Sequence, residues 1–266
     1  MSEGNALYAS RIFLNAALPL VKVLSEEKSE LKKAFAGKSG IVQVSAMEGA
    51  GPEAAKIGTH FVVTDGAVKV APGIADRVDV ELAFPSVEAL NGFFSGSSKK
   101  LPKIKGAIRH FGLFLAFLRT LLAMAAALGA TEAPADPAEK ALLVKLFFYL
   151  LTSGISQLNK AGHPEVSKWA KTSPDRVYAL AVLGDDELAA YVRVKAGNTK
   201  AARGVYERSK PFFTLAFDSA DSALATLFGK DEMLAATAAG RIRMLGAPEY
   251  GAMLGDFLLL VGSLAK

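Results

Sequence analysis

The chain has 266 residues, a formal net charge of +5 and no cysteine. At roughly 150 residues per domain, this length predicts about two domains. The absence of cysteine excludes disulfides, thiol catalysis and cysteine-ligated zinc. Because charges of both signs are interspersed along the chain, the small basic excess does not indicate nucleic-acid binding. Hydrophobic residues make up 51% of the chain, which is ample material for buried cores.

The N-terminal residues have neither the basic region nor the apolar core of a secretory signal. Together with the lack of cysteine, this predicts a cytoplasmic protein, with peripheral membrane association as the variant kept open. Residues 111–130 read FGLFLAFLRTLLAMAAALGA and approach the length that spans a bilayer. Arg119 near the centre costs about 2.5 kcal/mol on insertion. We therefore expect a buried or ligand-facing helix, with membrane contact as the alternative.

The predicted elements follow the same order in both halves. Each half opens with a long helical pattern, over residues 6–35 with an interruption near Pro19, and over 138–169 with an interruption near 162–164. Strand-like runs then follow in matching pairs, at 41–47 and 176–182, 60–64 and 189–194, and 78–84 and 211–217. Hairpin turns are predicted at Asp65-Gly66 and Ala196-Gly197.

Each half ends with a helix, a further strand and a last helix. Ser86 and Ser219 predict the starts of the first of these helices, because each hydroxyl is followed by an acid in the first turn, Glu88 or Asp221. The proline-bearing segment 129–137 separates two apolar helices. We therefore predict domains at residues 1–132 and 133–266.

Two short patterns indicate an internal duplication. Residues 82–88 and 215–221 share LAF-x-S-x-[DE], and a glycine follows each pattern at Gly96 and Gly229. Residues 106–112 and 240–246 share G-x-I-R-x-x-G, which predicts an equivalent strand in each half.

This arrangement resembles the sterol carrier protein 2 family, through the Asp65-Gly66 turn, the LAF strand, the helix ending in glycine and the G-x-I-R-x-x-G segment. The resemblance implies an α+β fold of two tandem modules, each a mainly antiparallel or mixed sheet covered on one face by helices. It also implies an apolar cavity for sterols, fatty acyl chains or prenylquinone-like molecules, and no shared catalytic residues. The family has an acid after the last glycine, whereas Leu113 and Ala247 stand at those positions here.

The candidate ligand-binding residues are apolar side chains on the two helices that end each half. Several recur three or four residues apart, so they share a helix face. In most proteins such stripes pack the core, and only the resemblance favours a lipid cavity. The residues are Leu90, Phe93, Phe94, Phe111, Phe114, Phe117 and Leu118 in the first half, and Leu224, Leu227, Phe228, Tyr250, Met253, Leu254 and Phe257 in the second.

Motifs for catalysis or cofactor binding are missing. The three histidines, His60, His110 and His163, do not have metal-ligand spacing. Gly49-Ala-Gly51 is followed by Pro52 rather than by a helix-opening glycine, so it predicts a turn. We expect no metal, no cofactor and no enzymatic activity.

A basic run offers a contact for anionic lipid headgroups, at Lys99, Lys100, Lys103 and Lys105. The plainer interpretation is a solvated loop and strand edge. The leading hypothesis is a non-enzymatic carrier for a lipid or other hydrophobic small molecule. The alternatives are a scaffold whose cavities are filled by side chains, and a membrane-associated accessory factor of lipid or quinone metabolism. A homodimer formed by the apolar helices also stays open.

Overall fold

A computed structural model describes residues 3–98 and 100–265 of the chain. The chain divides into two compact units, the first comprising the chain up to Ala126 together with the last residues from Leu264, and the second running from Ala127 to Ser263. The fold is α+β, as predicted, with one five-stranded mixed sheet in each unit.

The first unit begins with helices, continues with strands and ends with a long helix. Its elements are α1 (Glu3–Ile12), α2 (Leu20–Glu27), α3 (Ser29–Phe35), β1 (Gly40–Glu48), β2 (Ala55–Thr64), β3 (Ala67–Pro72), β4 (Val80–Phe84), α4 (Val87–Phe94), β5 (Lys103–Lys105) and α5 (Phe111–Leu128). The predicted interruption near Pro19 is confirmed. A π-helical segment, Phe13–Ala17, precedes the proline, and the Leu18 N–H donates to the Phe13 carbonyl at 2.9 Å. Because proline has no N–H to donate, the helical ladder cannot continue unbroken through it.

The first sheet has the strand order β3-β2-β1-β4-β5. Its central pair, β1 and β4, is parallel, and its other neighbouring pairs are antiparallel. One face is apolar: Val42, Val44 and Ala46 of β1 alternate with residues of the opposite face and are at most 1% exposed. Helices cover this face, since the Thr59 hydroxyl of β2 donates to the Leu14 carbonyl at 2.6 Å. We call the opposite side the outer face.

The second unit repeats the order of the strands, but it opens with two helices rather than three and has an additional helix, α9 (Met233–Ala238), before its last strand. Its elements are α6 (Pro137–Lys160), α7 (Pro164–Thr172), β6 (Arg176–Val182), β7 (Asp185–Lys195), β8 (Asn198–Arg203), β9 (Phe213–Phe217), α8 (Ala220–Leu227), α9 (Met233–Ala238), β10 (Ile242–Leu245) and α10 (Pro248–Leu264). The sheet order, β8-β7-β6-β9-β10, has the same connectivity as the first sheet, again with a parallel central pair, β6 and β9. Helix α9 was not predicted from the sequence.

The predicted turns and helix starts are confirmed in both units. Asp65 and Ala196 have positive φ angles of 47° and 49° and are each followed by a glycine with positive φ, which is the geometry of a tight hairpin. The Ser86 hydroxyl accepts the N–H of Ala89 at 3.2 Å. Ser219 accepts the N–H of Ser222 at the same distance. Each serine thus satisfies one of the free N–H groups at a helix start.

The strand predicted from the G-x-I-R-x-x-G pattern is wrong in the first unit. Ile242–Leu245 forms a strand in the second unit, but residues 106–110 form turns and the corresponding strand is Lys103–Lys105. Strand pairing shows that Lys103 of the first unit is equivalent to Arg243 of the second. Lys103 lies opposite the alanine of the first LAF segment, and Arg243 lies opposite the alanine of the second.

The glycine that matches Gly246 is therefore Gly106, which directly follows β5. An added Cβ at Gly106 would lie 1.8 Å from the Asp79 carbonyl oxygen, and one at Gly246 would lie 2.9 Å from that of Phe212. The chain crosses another backbone at both points, which explains why only glycine fits.

Candidate functional site

The predicted site residues of the first unit differ in exposure. Leu90 and Phe117 are fully buried, while Phe111 is 61% exposed. The remaining four are half-buried: Phe93, Phe94, Phe114 and Leu118. The set therefore includes both core residues and side chains that a ligand could still cover.

Phe93 and Phe94 are brought together at the end of α4. Their ring centroids lie 5.4 Å apart, and both rings contact Phe84 of β4, at 5.3 and 6.2 Å. Phe94 also stacks on Phe13 at 5.5 Å. Phe117 of α5 packs instead on Phe61 of β2, at 4.8 Å. The Phe93–Phe94 pair and Phe117 thus belong to separate aromatic contacts on the helix-covered face.

The second unit shows the same division. Leu224, Leu254 and Phe257 are buried, with at most 6% exposure. The half-buried members are Leu227, Phe228, Tyr250 and Met253.

Ring contacts in the second unit join helices to one another and to the sheet. Phe228 contacts Phe147 of α6 at 5.8 Å, and Phe257 contacts Trp169 of α7 at 5.3 Å. Helix α10 lies close to the sheet, because an added Cβ on Gly251 would lie 3.1 Å from the Phe213 ring. The helix can approach the sheet this closely because glycine has no side chain at this position.

Residues 100–111, which we call the basic–apolar loop, combine exposed apolar side chains with cations. They connect through the edge strand β5 to the start of α5. The exposed apolar members are Leu101 (75% exposed), Ile104 (46%), Ile108 (96%) and Phe111 (61%). The segment contains no acid.

The cations of this loop have different surroundings. Lys105 donates to the Glu81 carboxylate at 3.2 Å. Among the described residues, no ion pair involves Lys100, Lys103 or Arg109. Lys99 lies outside the described residues. Three cations are therefore available to an anionic partner.

Helix α5 continues the exposed apolar surface of the loop. Phe111, Leu115, Leu118 and Leu122 recur along one face, and Leu122 is 62% exposed. By length and composition, three helical stretches within the described residues could cross a membrane: Gly4–Glu27, Phe111–Leu128 and Pro137–Lys160. The apolar segments of Gly4–Glu27 and Pro137–Lys160 are 67% and 72% buried, whereas that of α5 (Phe111–Leu128) is 33% buried. Helix α5 thus presents the least covered apolar face of the three.

The outer face of the first sheet carries a polar cluster that the sequence analysis missed. The Glu81 carboxylate of β4 accepts hydrogen bonds from Gln43 and Ser45 of β1, each at 2.8 Å, and pairs with Lys56 of β2. Burial by itself would raise the pKa of this carboxyl, but the Lys56 ammonium and the Ser45 and Gln43 donors outweigh that effect and lower the pKa of Glu81 to about 2. Glu81 is therefore a stable carboxylate rather than a proton donor at neutral pH.

A basic concavity lies at the end of the second sheet where β6 begins, and the sequence analysis also missed it. Its volume is about 540 Å³, and its wall is formed by the ends of β6 and β7 and by the segment before β9. The charged residues that line it are Asp175, Arg176, Arg193, Arg208 and Lys210, and Tyr206 and Phe212 supply aromatic rings. The strand register places Ala179, Ala181 and Thr214 where the first unit has Gln43, Ser45 and Glu81.

Within residues 3–98 and 100–265, no three His, Asp or Glu side chains gather in a way that could hold a metal ion. His60 Nδ1 lies 3.0 Å from the Gly73 carbonyl, and His110 lies 3.6 Å from Asp79. These contacts tie loops to the first sheet.

The sequence matches no protein-family model and no curated protein. Solved structures that resemble it in part include a conserved hypothetical protein of Thermus thermophilus, described as possibly a sterol carrier protein, with 22% identity and a TM-score of 0.29 over 43% of this chain and 82% of that one. A crystal structure of sterol carrier protein 2 is 22% identical with a TM-score of 0.29, over 44% of this chain and 96% of that one.

The methyltransferase MycE of mycinamycin biosynthesis, solved with magnesium and SAH, is also similar in part. It is 13% identical with a TM-score of 0.27, over 68% of this chain and 50% of that one. Because all three likenesses are partial and low in TM-score, they assign no function.

Proposed function

We propose that the protein is a non-enzymatic carrier for a lipid or another hydrophobic small molecule, such as a sterol, a fatty acyl chain or a prenylquinone-like compound. We also propose that it is a tandem pair of sterol carrier-like modules, divided near residues 132 and 133. The observation that carries the functional proposal is the accessible apolar surface of the first unit. That surface runs from the basic–apolar loop onto the exposed face of α5. It adjoins Lys100, Lys103 and Arg109, which form no ion pair within the described part of the chain.

Ligand binding draws on the half-buried members of the predicted set. Phe93 and Phe94 form one aromatic group, and Phe114 and Leu118 share a face of α5. Covering such side chains with an oily ligand contributes roughly 25 cal/mol per Å² of apolar surface removed from water. The ordering of ligand and side chains opposes this gain, so affinity depends on how much surface the ligand covers.

Delivery of such a ligand requires contact with the membrane that holds it. An anionic bilayer suits the basic–apolar loop, since its cations alternate with apolar side chains and it lacks acids. Each cation near such a surface contributes about 1 kcal/mol. Full burial of an exposed isoleucine or leucine adds roughly 1.5–3 kcal/mol. A cytoplasmic protein that associates peripherally with membranes is consistent with both the electrostatic and the apolar contribution to binding.

Vesicle co-sedimentation tests the docking step. We expect the full chain to bind vesicles that contain phosphatidylserine and to leave neutral phosphatidylcholine vesicles largely unbound. Ile108→Asp should weaken binding at least tenfold. Leu234→Asp is the matched control, because Leu234 is also exposed (83%) and lies in the second unit. Equal binding by the Ile108→Asp and Leu234→Asp variants would exclude the loop as the docking surface.

A charge pair gives a second, independent variant for docking. Lys100→Gln with Lys103→Gln should weaken binding to phosphatidylserine vesicles and reduce its salt dependence. Lys168→Gln with Lys171→Gln removes the same charge from exposed positions of α7 and should have no comparable effect. If both double variants behave alike, net charge rather than this loop determines binding.

A scaffold with filled cavities is the second candidate, and the fully buried Leu90 and Phe117 favour it. It predicts that a fluorescent fatty-acid probe does not bind saturably to the full chain. The carrier predicts saturable binding and displacement by an unlabelled sterol or fatty acid. A second copy of the chain could also cover α5, and a dimer in solution that dissociates on Leu122→Asp would support that arrangement instead of docking.

A further inference from the structure

The basic concavity of the second unit has an excess of positive charge. Asp175 is its one lining acid, and Arg193 holds that carboxylate through two hydrogen bonds of 2.8 and 2.5 Å. Lys195 lies 3.5 Å from the same carboxylate. Arg176, Arg208 and Lys210 have no carboxylate partner among the described residues.

Arg176 is held in place by aromatic rings. Its guanidinium carbon lies 3.8 Å from the centroid of the Phe212 ring and 5.2 Å from that of Tyr250. Its Nη1 donates to the Tyr250 hydroxyl at 3.1 Å. A guanidinium stacked in this way loses little additional freedom when it binds an oxyanion, and its planar fork can donate two parallel hydrogen bonds.

The fold does not require these cations. Strand register places Gly40 of the first unit where the second has Arg176, and Val62 where it has Arg193. The loop that precedes β4 is tied to its own sheet, because the Ala75 N–H donates to the Gln43 side chain at 2.8 Å. The same sheet topology thus forms without a basic cluster, which points to a ligand rather than to packing.

We infer that this concavity, where Arg176, Arg208 and Lys210 lie beside the Arg193–Asp175 ion pair, binds the phosphate group of an organic phosphate monoester. Several cations around one opening match the charge of such a group, and Arg favours its geometry. A volume of about 540 Å³ accommodates a small molecule rather than a macromolecule. The phosphate belongs either to a lipid headgroup or to a soluble metabolite. This inference is independent of the proposed docking loop, which lies in the first unit.

Isothermal titration of the full chain at low salt tests the inference. The probes are inorganic phosphate, glycerol 3-phosphate and dihexanoyl phosphatidic acid. We expect saturable binding of at least one ester, and a loss of at least tenfold in affinity for Arg208→Gln with Lys210→Gln. Lys168→Gln with Lys171→Gln removes the same charge elsewhere in the unit and should retain affinity. The absence of saturable binding, or equal losses in both double variants, overturns the inference.

A charge-conserving variant separates a shaped site from a general positive field. Arg176→Lys retains the charge but lacks the planar fork, so it should weaken ester binding several-fold while circular dichroism shows an unchanged fold. An unchanged affinity would remove Arg176 from the site. Tighter binding of dihexanoyl phosphatidic acid than of glycerol 3-phosphate indicates a lipid headgroup, and similar affinities indicate a soluble phosphate.

Discussion

Ser45 and Glu81 meet on the outer face of the first sheet, where the serine hydroxyl donates a 2.8 Å hydrogen bond to the carboxylate. The two residues lie on neighbouring parallel strands, and the Glu81 side chain is only 8% exposed. The second unit has alanine and threonine at the equivalent positions. The buried carboxylate is therefore a feature of one unit rather than of the shared fold.

Glu81→Gln should destabilise the first unit by about 2 kcal/mol at neutral pH, because charge-assisted hydrogen bonds are lost. The pKa of Glu81 lies near 2 in the folded protein and near 4.5 in the unfolded chain. Its stabilising effect is therefore complete above pH 4.5 and is lost as the pH falls towards 2. Urea unfolding at several pH values should show the two proteins converging in acid. Glu53→Gln, at an exposed position, is the control. A constant difference across this pH range would contradict the assignment.

Gly106→Ala should destabilise the first unit far more than Gly96→Ala. Both glycines have positive φ, 74° and 70°, so both substitutions incur the backbone strain of about 1–2 kcal/mol. Only at Gly106 does the added Cβ meet a backbone atom, the Asp79 carbonyl oxygen. Hydrogen exchange of the β4 and β5 amides measures the local effect. Equal losses for the two variants would show that the chain does not pass the Asp79 backbone as described.

Phe117→Ala and Phe111→Ala separate core packing from surface function. Phe117 is fully buried against Phe61, so its truncation should cost about 3–5 kcal/mol of unfolding free energy. Phe111 is 61% exposed, so Phe111→Ala should lower the unfolding free energy by less than about 0.5 kcal/mol. The same substitution should weaken binding to anionic vesicles. Thermal denaturation and vesicle co-sedimentation together decide this. A large stability loss for Phe111→Ala would show that Phe111 packs in the core rather than on the accessible surface.

Ser86→Ala and Ser219→Ala should each destabilise by about 1 kcal/mol, since each serine caps the helix that follows an LAF strand. The two capped helices follow equivalent strands of their sheets, so we expect similar losses of unfolding free energy in both units. Denaturant unfolding of the single variants measures this. A loss confined to one of them would show that the capping contacts are not equivalent.

Local patterns predicted the elements that depend on local chemistry. Alternation predicted β1 and β6, and Asp65-Gly66 predicted a hairpin because its geometry is set by two residues. The strand in 106–112 was predicted wrongly, because the position of β5 depends on pairing with the distant residue Ala83 rather than on the local sequence of β5. Parallel pairing of β1 with β4 also depends on long-range packing.

The polar cluster around Glu81 and the basic concavity could not be predicted from local patterns for the same reason. Glu81 lies 36 residues from Ser45, and Arg193 lies 18 from Asp175, so neither contact has a spacing that a motif could define. The apolar residues proposed to bind a ligand were selected by their helical spacing. That spacing does not distinguish the buried Phe117 from the half-buried Phe114, because both lie on one face of α5.

Native mass spectrometry of the purified full chain, followed by organic extraction and lipid analysis, tests the carrier proposal most directly. We predict a population whose mass exceeds that of the chain by one lipid, and recovery of that lipid in the extract. Supplied fatty acid or sterol should exchange with it. A chain of unmodified mass that yields no lipid and acquires none on incubation would contradict the carrier proposal.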